Sequence, residues 1–283
     1  MIPEVGDPAV RVGRDDIAAA VRAAGIAAGE TLLFHSALSS LGTVEGGPEA
    51  VIDGLLQAVG PSGTVAVPTL CNWQPGEQHL VFPRWDPAET PSYVGRITEV
   101  FRQRPDALRS DHATHSVAAI GAGAAALTAH HGEAGPRLGP FGPRAFAATS
   151  PWQRLVDQNA VYAFIGVDFK VATMVHLVES LIVERALARA PEARREHAAL
   201  EVIGWMTPGV WPQIRIDDRE VFQHELATKG LVQSGKIGSA TLLWTRAGTM
   251  VEHWLALLEA EPARWFPAEY LAWERLLNGE HPA

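Results

Sequence analysis

Thr31-Leu32-Leu33-Phe34-His35-Ser36, followed by the small-residue run Ala37 to Gly47 and then by Pro48, is the stretch from which the fold of this chain is read. The first six residues form a short β-rich run and read as a strand. Pro48 suits the first turn of a helix running to about Val59, whose Val51, Ile52, Leu55 and Leu56 recur on one face and would cover a sheet. The turn Pro61-Ser62-Gly63 then returns the chain to a second strand, Thr64 to Leu70. Strand, helix, strand is the alternation of a parallel sheet with a right-handed crossover.

Upstream, Asp15 to Gly25 reads as a helix, with Ile17, Val21 and Ala24 at helical spacing and Gly25 as its stop. Downstream, Cys71 to Ser92 has no clear period and reads as a long functional loop. Helix resumes at Tyr93 to Gln103, and a strand, Val117 to Gly121, leads into Ala124 to Ala129. Gly139-Pro140-Phe141-Gly142-Pro143 is a stiff loop, Val161 to Gly166 a strand and Val171 to Arg189 a long helix. The last third predicts helices at Asp217 to Lys229, Met250 to Glu259 and Ala268 to Leu277, and strands near Glu201 to Gly204 and Ala240 to Thr245. The whole, 1–283, is expected to be one α/β domain with a largely parallel central sheet flanked by helices and an added C-terminal α+β portion, in which 71–92 and 190–250 cover the substrate.

At 283 residues, 47% hydrophobic and 19% charged, the chain has the composition of a soluble globular protein and not of a disordered one. No apolar run reaches the roughly 18 residues of a membrane span. Met1 to Asp16 lacks the apolar core of a signal peptide, so a cytoplasmic location and no membrane partner are expected. The single cysteine, Cys71, excludes an internal disulfide and a CxxC-type metal framework. A net charge of −9 opposes nucleic-acid binding and favours cationic ligands, although the same charge also serves solubility.

Three groups of residues carry possible chemistry. Ser36 to Gly47, between a strand and a helix N-terminus, offers small residues, hydroxyls and amides to an anionic ligand; it is no Walker loop, and strand-to-helix turns have the same composition for conformational reasons alone. His112 and His115 lie three apart before a strand, with Glu99 on the preceding helix and Asp111 adjacent. A carboxylate-oriented general base, a metal pair and a structural histidine are all open there, although the ligand spacing of HExxH-type metal sites is missing. Asp168, His176 and Glu179 form the third group, with Glu179 one helical turn beyond His176; a cationic pocket, a solvated helix face and, for His176 among apolar neighbours, a core histidine are all open. Cys71 has no neighbour in sequence that would lower its pKa, and reads as a buried bystander.

Taken together and in order, these groups resemble the antibiotic N-acetyltransferase family, best known for the aminoglycoside 3-N-acetyltransferases. The resemblance rests on His35 to Gly42 with Gly46-Gly47, Gly63-Thr64 with Pro68-Thr69, Glu99 with Phe101-Arg102, Arg109-Ser110 with His112 and Thr114-His115-Ser116, Gly139 to Gly142, and His176 with Glu179. Phe222 and Lys236-Ile237-Gly238 extend it less distinctively. It implies an α/β fold unrelated to the GNAT acetyltransferases, acetyl-coenzyme A as cosubstrate, no metal, and a monomer or homodimer that acts on the 3-amino group of a polycationic 2-deoxystreptamine aminoglycoside. By position, His115 is the expected base and Glu99 its orienting carboxylate. His35, Ser36, Leu38, Ser39, Ser40, Leu41, Gly42, Thr43 and Val44 are the expected coenzyme A cradle, with Thr114 and Ser116 bordering the thioester.

Direct transfer in a ternary complex is then expected, with Asp168, His176 and Glu179 binding the acceptor. Ala113 stands where the family usually has proline, and Arg144 to Thr149 lengthens the loop before Ser150-Pro151. The first is expected mainly to loosen the backbone, and the second, with the Cys71 to Ser92 loop, bears on which acceptor is used. The rival readings are acetylation of another amine-bearing natural product, and a coenzyme A-binding protein without turnover.

Overall fold

A computed structural model of the chain describes residues 3–73, 77–203 and 209–279. The elements run β1 (Arg11–Val12), α1 (Arg14–Ala23), β2 (Thr31–Ser36), β3 (Thr43–Val44), α2 (Gly47–Val59), β4 (Thr64–Pro68), α3 (Gln78–Val81), α4 (Arg96–Arg102), β5 (Leu108–Arg109), β6 (Val117–Gly121) and α5 (Ala124–Thr128). Then follow α6 (Pro151–Asp157), β7 (Val161–Ile165), α7 (Val175–Arg189), α8 (Glu192–Val202), α9 (Asp218–Thr228), β8 (Gln233–Ile237), β9 (Ala240–Arg246), α10 (Ala247–Ala260), α11 (Pro262–Trp265) and α12 (Ala268–Leu277). No described helix is long and apolar enough to cross a membrane.

Seven strands form one sheet in the order β5-β6-β4-β2-β7-β9-β8, while β1 and β3 make a separate two-stranded ribbon. The α/β architecture agrees with the sequence reading, but the parallel character is confined to the centre. β2 is parallel to β4 and to β7, whereas β6 on β4, β5 on β6, β9 on β7 and β8 on β9 are all antiparallel. Of these outer pairs, β5–β6 and β8–β9 follow one another directly in the chain, whereas helices intervene between β4 and β6 and between β7 and β9. The tightest is β8 to β9, where Ile237 opposes Ala240 and Gly238, at φ +57°, makes the turn.

Period-2 alternation divides the core into two layers. Leu32 and Phe34 of β2, Val65 and Val67 of β4, and Val161, Ala163 and Ile165 of β7 pack with α1, α2 and α4. Leu33, Ala66, Tyr162 and Phe164 face the other way, into the larger layer formed with α6, α7, α9 and α10. This alternation places His35 beside Tyr162 and Phe164, with ring centroids 5.3 and 5.5 Å away. β2 is also where the chain's route divides, to β4 on one side and later to β7 on the other. In α/β sheets such a division leaves a crevice beyond the carboxyl ends of the strands.

Several boundaries differ from the sequence reading. The expected strand at Glu201 to Gly204 is a correction: Glu201 belongs to α8, whose Ala198 and Val202 are buried one turn apart, and Gly204 lies outside the described residues. The long helix begins at Val175 and not Val171, because Phe169–Val171 forms a separate 3-10 turn capped by the Asp168 side chain and Ala172 is extended. Within Cys71 to Ser92 a short helix, α3, and a 3-10 turn, Phe82–Arg84, interrupt the loop.

Candidate active site

The crevice beyond β2 holds two adjoining cavities, of about 700 and about 670 Å3, which share Ser36, Val94, Thr98, Val167 and Val171 as lining. The second is the cradle side. Ser36, Leu38, Ser39, Gly42, Val44 and Gly47 line it, with Gly47 opening the 13-residue helix α2. Positive φ at Gly42, Gly46 and Gly47 turns the chain sharply enough to bring backbone amides and the α2 N-terminus to that cavity, an environment that favours phosphate. A coenzyme A moiety therefore fits the residues present.

The other expected cradle residues build the loop from within. Ser40 is buried and donates its hydroxyl to the Ala37 carbonyl, Leu41 is in the core, and the Thr43 hydroxyl donates to the Pro8 carbonyl. Gly166 closes on Ser40 so tightly that a Cβ there would lie 1.7 Å from the Ser40 hydroxyl. Thr114 and Ser116 are also buried and line neither cavity. Ser116 donates to the Thr69 carbonyl. Arg109 fixes the same corner, its Nε donating to the Thr69 hydroxyl at 3.0 Å and its Nη1 to the Pro87 carbonyl, and thereby ties the Cys71 to Ser92 segment to the sheet.

The larger cavity is a chamber with mainly aromatic walls. His35, Trp73, His115, Phe141 and His176 contribute aromatic walls, and Gln213 to Arg219 closes one side. Trp73 and the 213–219 segment fall within the two stretches expected to cover the substrate.

Glu99 is not where the sequence reading puts it. Its carboxylate accepts from Arg102 Nε and Nη2 at 2.7 and 2.6 Å, from the Ser92 backbone N–H at 2.6 Å and from Gln103 Nε2 at 2.8 Å, and it makes no hydrogen bond to His115. Burial works to raise this carboxyl, but the Arg102 and Ser92 bonds and the charges of Arg102 and Arg109 outweigh it and hold the group below the usual range. Glu99 anchors α4 to the segment before it. The physical reason is spacing: Arg102 and Gln103 follow at i+3 and i+4 on the same helix and reach the carboxylate first.

His115 is 1% exposed and sits in an aromatic box, with ring centroids 4.2 Å from Phe141, 4.8 Å from Phe146 and 5.8 Å from His176. Its Nδ1 meets the Thr114 hydroxyl at 2.9 Å, and its backbone N–H donates to His112 Nδ1 at 3.1 Å. His112 stacks on His131, centroids 4.9 Å apart. The bonding of His131 assigns its tautomer: Nε2–H donates to the Ala145 carbonyl, while Nδ1 accepts from the Ser110 hydroxyl, which itself accepts from the Val117 N–H. Burial, reinforced by the charges of His176, His112 and His131, pushes His115 well below the ordinary histidine range. His112 and His131 thus form a buried stacked pair with His115 edge-on to it, and no group of metal-ligating side chains occurs among the described residues.

His176 has what His115 lacks. It lies in the first turn of α7, and its Nδ1 donates to Glu179 Oε2 at 3.0 Å. Glu179 is 1% exposed and is held in place by the Ile214 N–H at 2.8 Å and by Trp211 Nε1 at 3.3 Å. The imidazole keeps 19% of its surface open and lines the chamber. With Nδ1 protonated, Nε2 carries the lone pair, and the buried carboxylate stabilises the imidazolium that forms when Nε2 takes a proton.

The remaining expected acceptor residues do not face the chamber with free oxygens. Glu179 is saturated by its three donors, and Asp168 Oδ1 accepts from the Lys170 N–H and is not part of the lining. Cys71 is buried, and that burial raises its thiol against the opposing charge of Arg109. Sequence reasoning passed over Arg219, which lines the chamber. The signal was present: Arg219 stands at i in a stripe with Phe222 and Leu226, a cation on the buried face of α9.

The family model of aminoglycoside 3-N-acetyltransferases matches residues 33–259 of this chain. The chain belongs to that family. Its relatives include aminoglycoside N(3)-acetyltransferase VII of Streptomyces paromomycinus, 35% identical over 65% of this chain and 63% of that protein. The enzyme IX of Micromonospora chalcea is 28% identical over 85% of this chain and 91% of its own. The chain thus spans under two thirds of the first of these and nearly all of the second. Among solved structures, aminoglycoside acetyltransferase AAC(3)-Xa superposes with a TM-score of 0.67 at 28% identity, covering 88% of this chain and 93% of that one. AAC-IIIb in binary complex with CoASH has the same fold, with a TM-score of 0.70 at 22% identity over 91% and 98% of the two chains. Membership in the aminoglycoside 3-N-acetyltransferase family agrees with the resemblance read from the sequence.

Proposed function

We propose that this chain is an acetyl-CoA-dependent N-acetyltransferase that works by direct transfer, with His176 as general base and Glu179 as the carboxylate that orients it. The observation that carries the reading is the His176–Glu179 bond at 3.0 Å on the wall of a chamber continuous with the α2 cradle. His115, the base expected from sequence, is only 1% exposed and has no carboxylate partner, and burial opposes the proton a base must accept.

Acetyl-CoA supplies a thioester carbonyl at the junction of the two cavities, next to Ser36 and Thr98. His176 Nε2 takes the proton that the acceptor amine releases as its nitrogen bonds to the carbonyl carbon. The same imidazolium returns that proton to sulfur as the C–S bond breaks, so the products are the N-acetylated amine and free CoA. Glu179 holds the ring and balances its transient charge. Of the hydroxyl side chains lining the chamber, Ser36, Thr98 and Thr173, none is hydrogen-bonded to a histidine, which supports direct transfer over an acyl-enzyme.

The acceptor that kinship supplies is the 3-amino group of a 2-deoxystreptamine aminoglycoside, since the relatives carry aminoglycoside N(3)-acetyltransferase names. One observation favours the second acceptor reading, another amine-bearing natural product: no carboxylate occurs in the described lining of the chamber, where a polycation would need several. Thiol release from acetyl-CoA tests the reaction class across an acceptor panel of aminoglycosides and simpler amines. The expected result is acceptor-dependent release with an N-acetylated product by mass spectrometry; saturable CoA binding without release on any acceptor would sink the reading.

A further inference from the structure

Among the described residues that line the chamber, Arg219 alone has a buried side-chain nitrogen without a hydrogen-bond partner. Its residue surface is 8% exposed and its Nη1 donates to the Lys170 carbonyl at 2.8 Å, but its Nε is buried without a partner and no carboxylate hydrogen-bonds the guanidinium. Two other arginines show what the same edge does when satisfied. Arg102 donates from Nε and Nη2 to Glu99 at 2.7 and 2.6 Å, and Arg215 donates from Nε and Nη2 to Asp218 at 2.9 and 3.0 Å. Glu179 acts on Arg219 only through space, since its oxygens are taken by His176, Trp211 and Ile214.

A guanidinium retains its charge and offers five N–H donors and no acceptor, so a group that completes its bonding carries negative charge on oxygen. The other two cations of the lining, Lys170 and Arg215, already pair with Glu220 and Asp218. Among the described lining residues Arg219 is thus the cation without a carboxylate partner, fixed by burial in α9 on the wall of the cavity that His176 also lines.

We propose that Arg219 anchors an oxyanion of the acceptor, so that the substrate of this chain is an amine that also carries a carboxylate or a phosphate-like group. The inference rests on the acetyl-transfer reading above and specifies its acceptor. The amine end lies at His176 Nε2 and the anionic end at Arg219. This departs from a polycationic acceptor, and it accounts for a chamber whose described lining carries Lys170, Arg215 and Arg219 and no carboxylate.

The test uses the full chain, acetyl-CoA and matched acceptor pairs: β-alanine against β-alaninamide, and 2-aminoethyl phosphate against ethanolamine, with 2-deoxystreptamine aminoglycosides as a third arm. The wild type is compared with Arg219→Gln and the charge-preserving Arg219→Lys, each checked for an unchanged thermal transition. We expect the anionic member of a pair to exceed its uncharged partner at least tenfold in kcat/KM. Arg219→Gln should collapse that ratio towards one through KM, and Arg219→Lys should restore part of it. The carboxylate and phosphate pairs distinguish the two kinds of anion. A ratio below threefold in the wild type, a ratio unchanged in Arg219→Gln, or aminoglycosides acetylated at least as well as every anionic amine would overturn the proposal. Calorimetric titration with the same probes separates the two readings. Anion-dependent binding lost in Arg219→Gln, without thiol release, upholds the anion site and refutes acetyl transfer; absence of anion-dependent binding refutes the anion site whatever the turnover.

Discussion

Acidification from pH 7.5 to 5.5 is expected to cost this protein a large part of its stability, because it keeps four histidines buried and neutral. Burial, with a smaller push from Arg219, lowers His35 to about 3, and burial lowers His131 to about 4 although its bond to the Ala145 carbonyl acts the other way. His112 and His115 are displaced in the same direction, again chiefly by burial. Each folded-state pKa lies below the unfolded value near 6.5. The contribution is therefore complete above that pH and is lost as pH falls, because the unfolded chain takes up a proton that the folded chain refuses. The loss ends near pH 3 for His35 and near pH 4 for His131. Linkage sets the limiting slope at about 1.4 kcal/mol per pH unit for each such histidine, reached only below the unfolded pKa, so four give roughly 5 kcal/mol between pH 7.5 and 5.5. That is comparable to the whole stability of an ordinary domain, about 5 to 15 kcal/mol. Urea unfolding followed by tryptophan fluorescence at half-unit pH steps measures it, and His131→Gln should flatten the slope by about a quarter. A midpoint that does not move between pH 7.5 and 5.5 would refute the reasoning.

Two further substitutions separate scaffold from chemistry. Glu99→Gln strands the largely buried Arg102 guanidinium and should cost about 3 kcal/mol of stability while leaving kcat within threefold, read by denaturant unfolding and thiol release on one preparation; a hundredfold loss of kcat would return Glu99 to the chemistry. Gly166→Ala places a Cβ 1.7 Å from the Ser40 hydroxyl at φ +64°, so the cradle loop must shift and the KM for acetyl-CoA should rise at least tenfold; an unchanged KM would show that the loop does not hold the coenzyme.

How far the sequence spoke depended on whether a signal was local. The β2-loop-α2-β4 unit was legible because apolar period, Pro48 and the Pro61-Ser62-Gly63 turn agree, and α12 was legible to its end residues. β8 was not: Gln-Ser-Gly-Lys-Ile at a sheet edge has no apolar alternation, and only its pairing with β9 makes it a strand. The helix at Pro151 is absent from the sequence reading although Ser150 caps it and proline follows at the first position, a signature that was present. The site shows the same divide. His176 and Glu179 are three residues apart on one helix, so their pairing could be read, whereas the partners of Glu99 and His115 depend on which of several nearby groups reaches each first. Arg219 and His176 are brought to one cavity by tertiary packing alone.

The central claim is that proton transfer belongs to His176 and not to His115. Thiol release by His176→Asn and His115→Asn, measured side by side at saturating acetyl-CoA with coenzyme binding checked by calorimetry, tests it most directly. The account predicts a loss in kcat of about a hundredfold or more for His176→Asn with coenzyme affinity retained, the range expected of a general base, and less than tenfold for His115→Asn. Near wild-type turnover in His176→Asn together with an inactive but folded His115→Asn would contradict it.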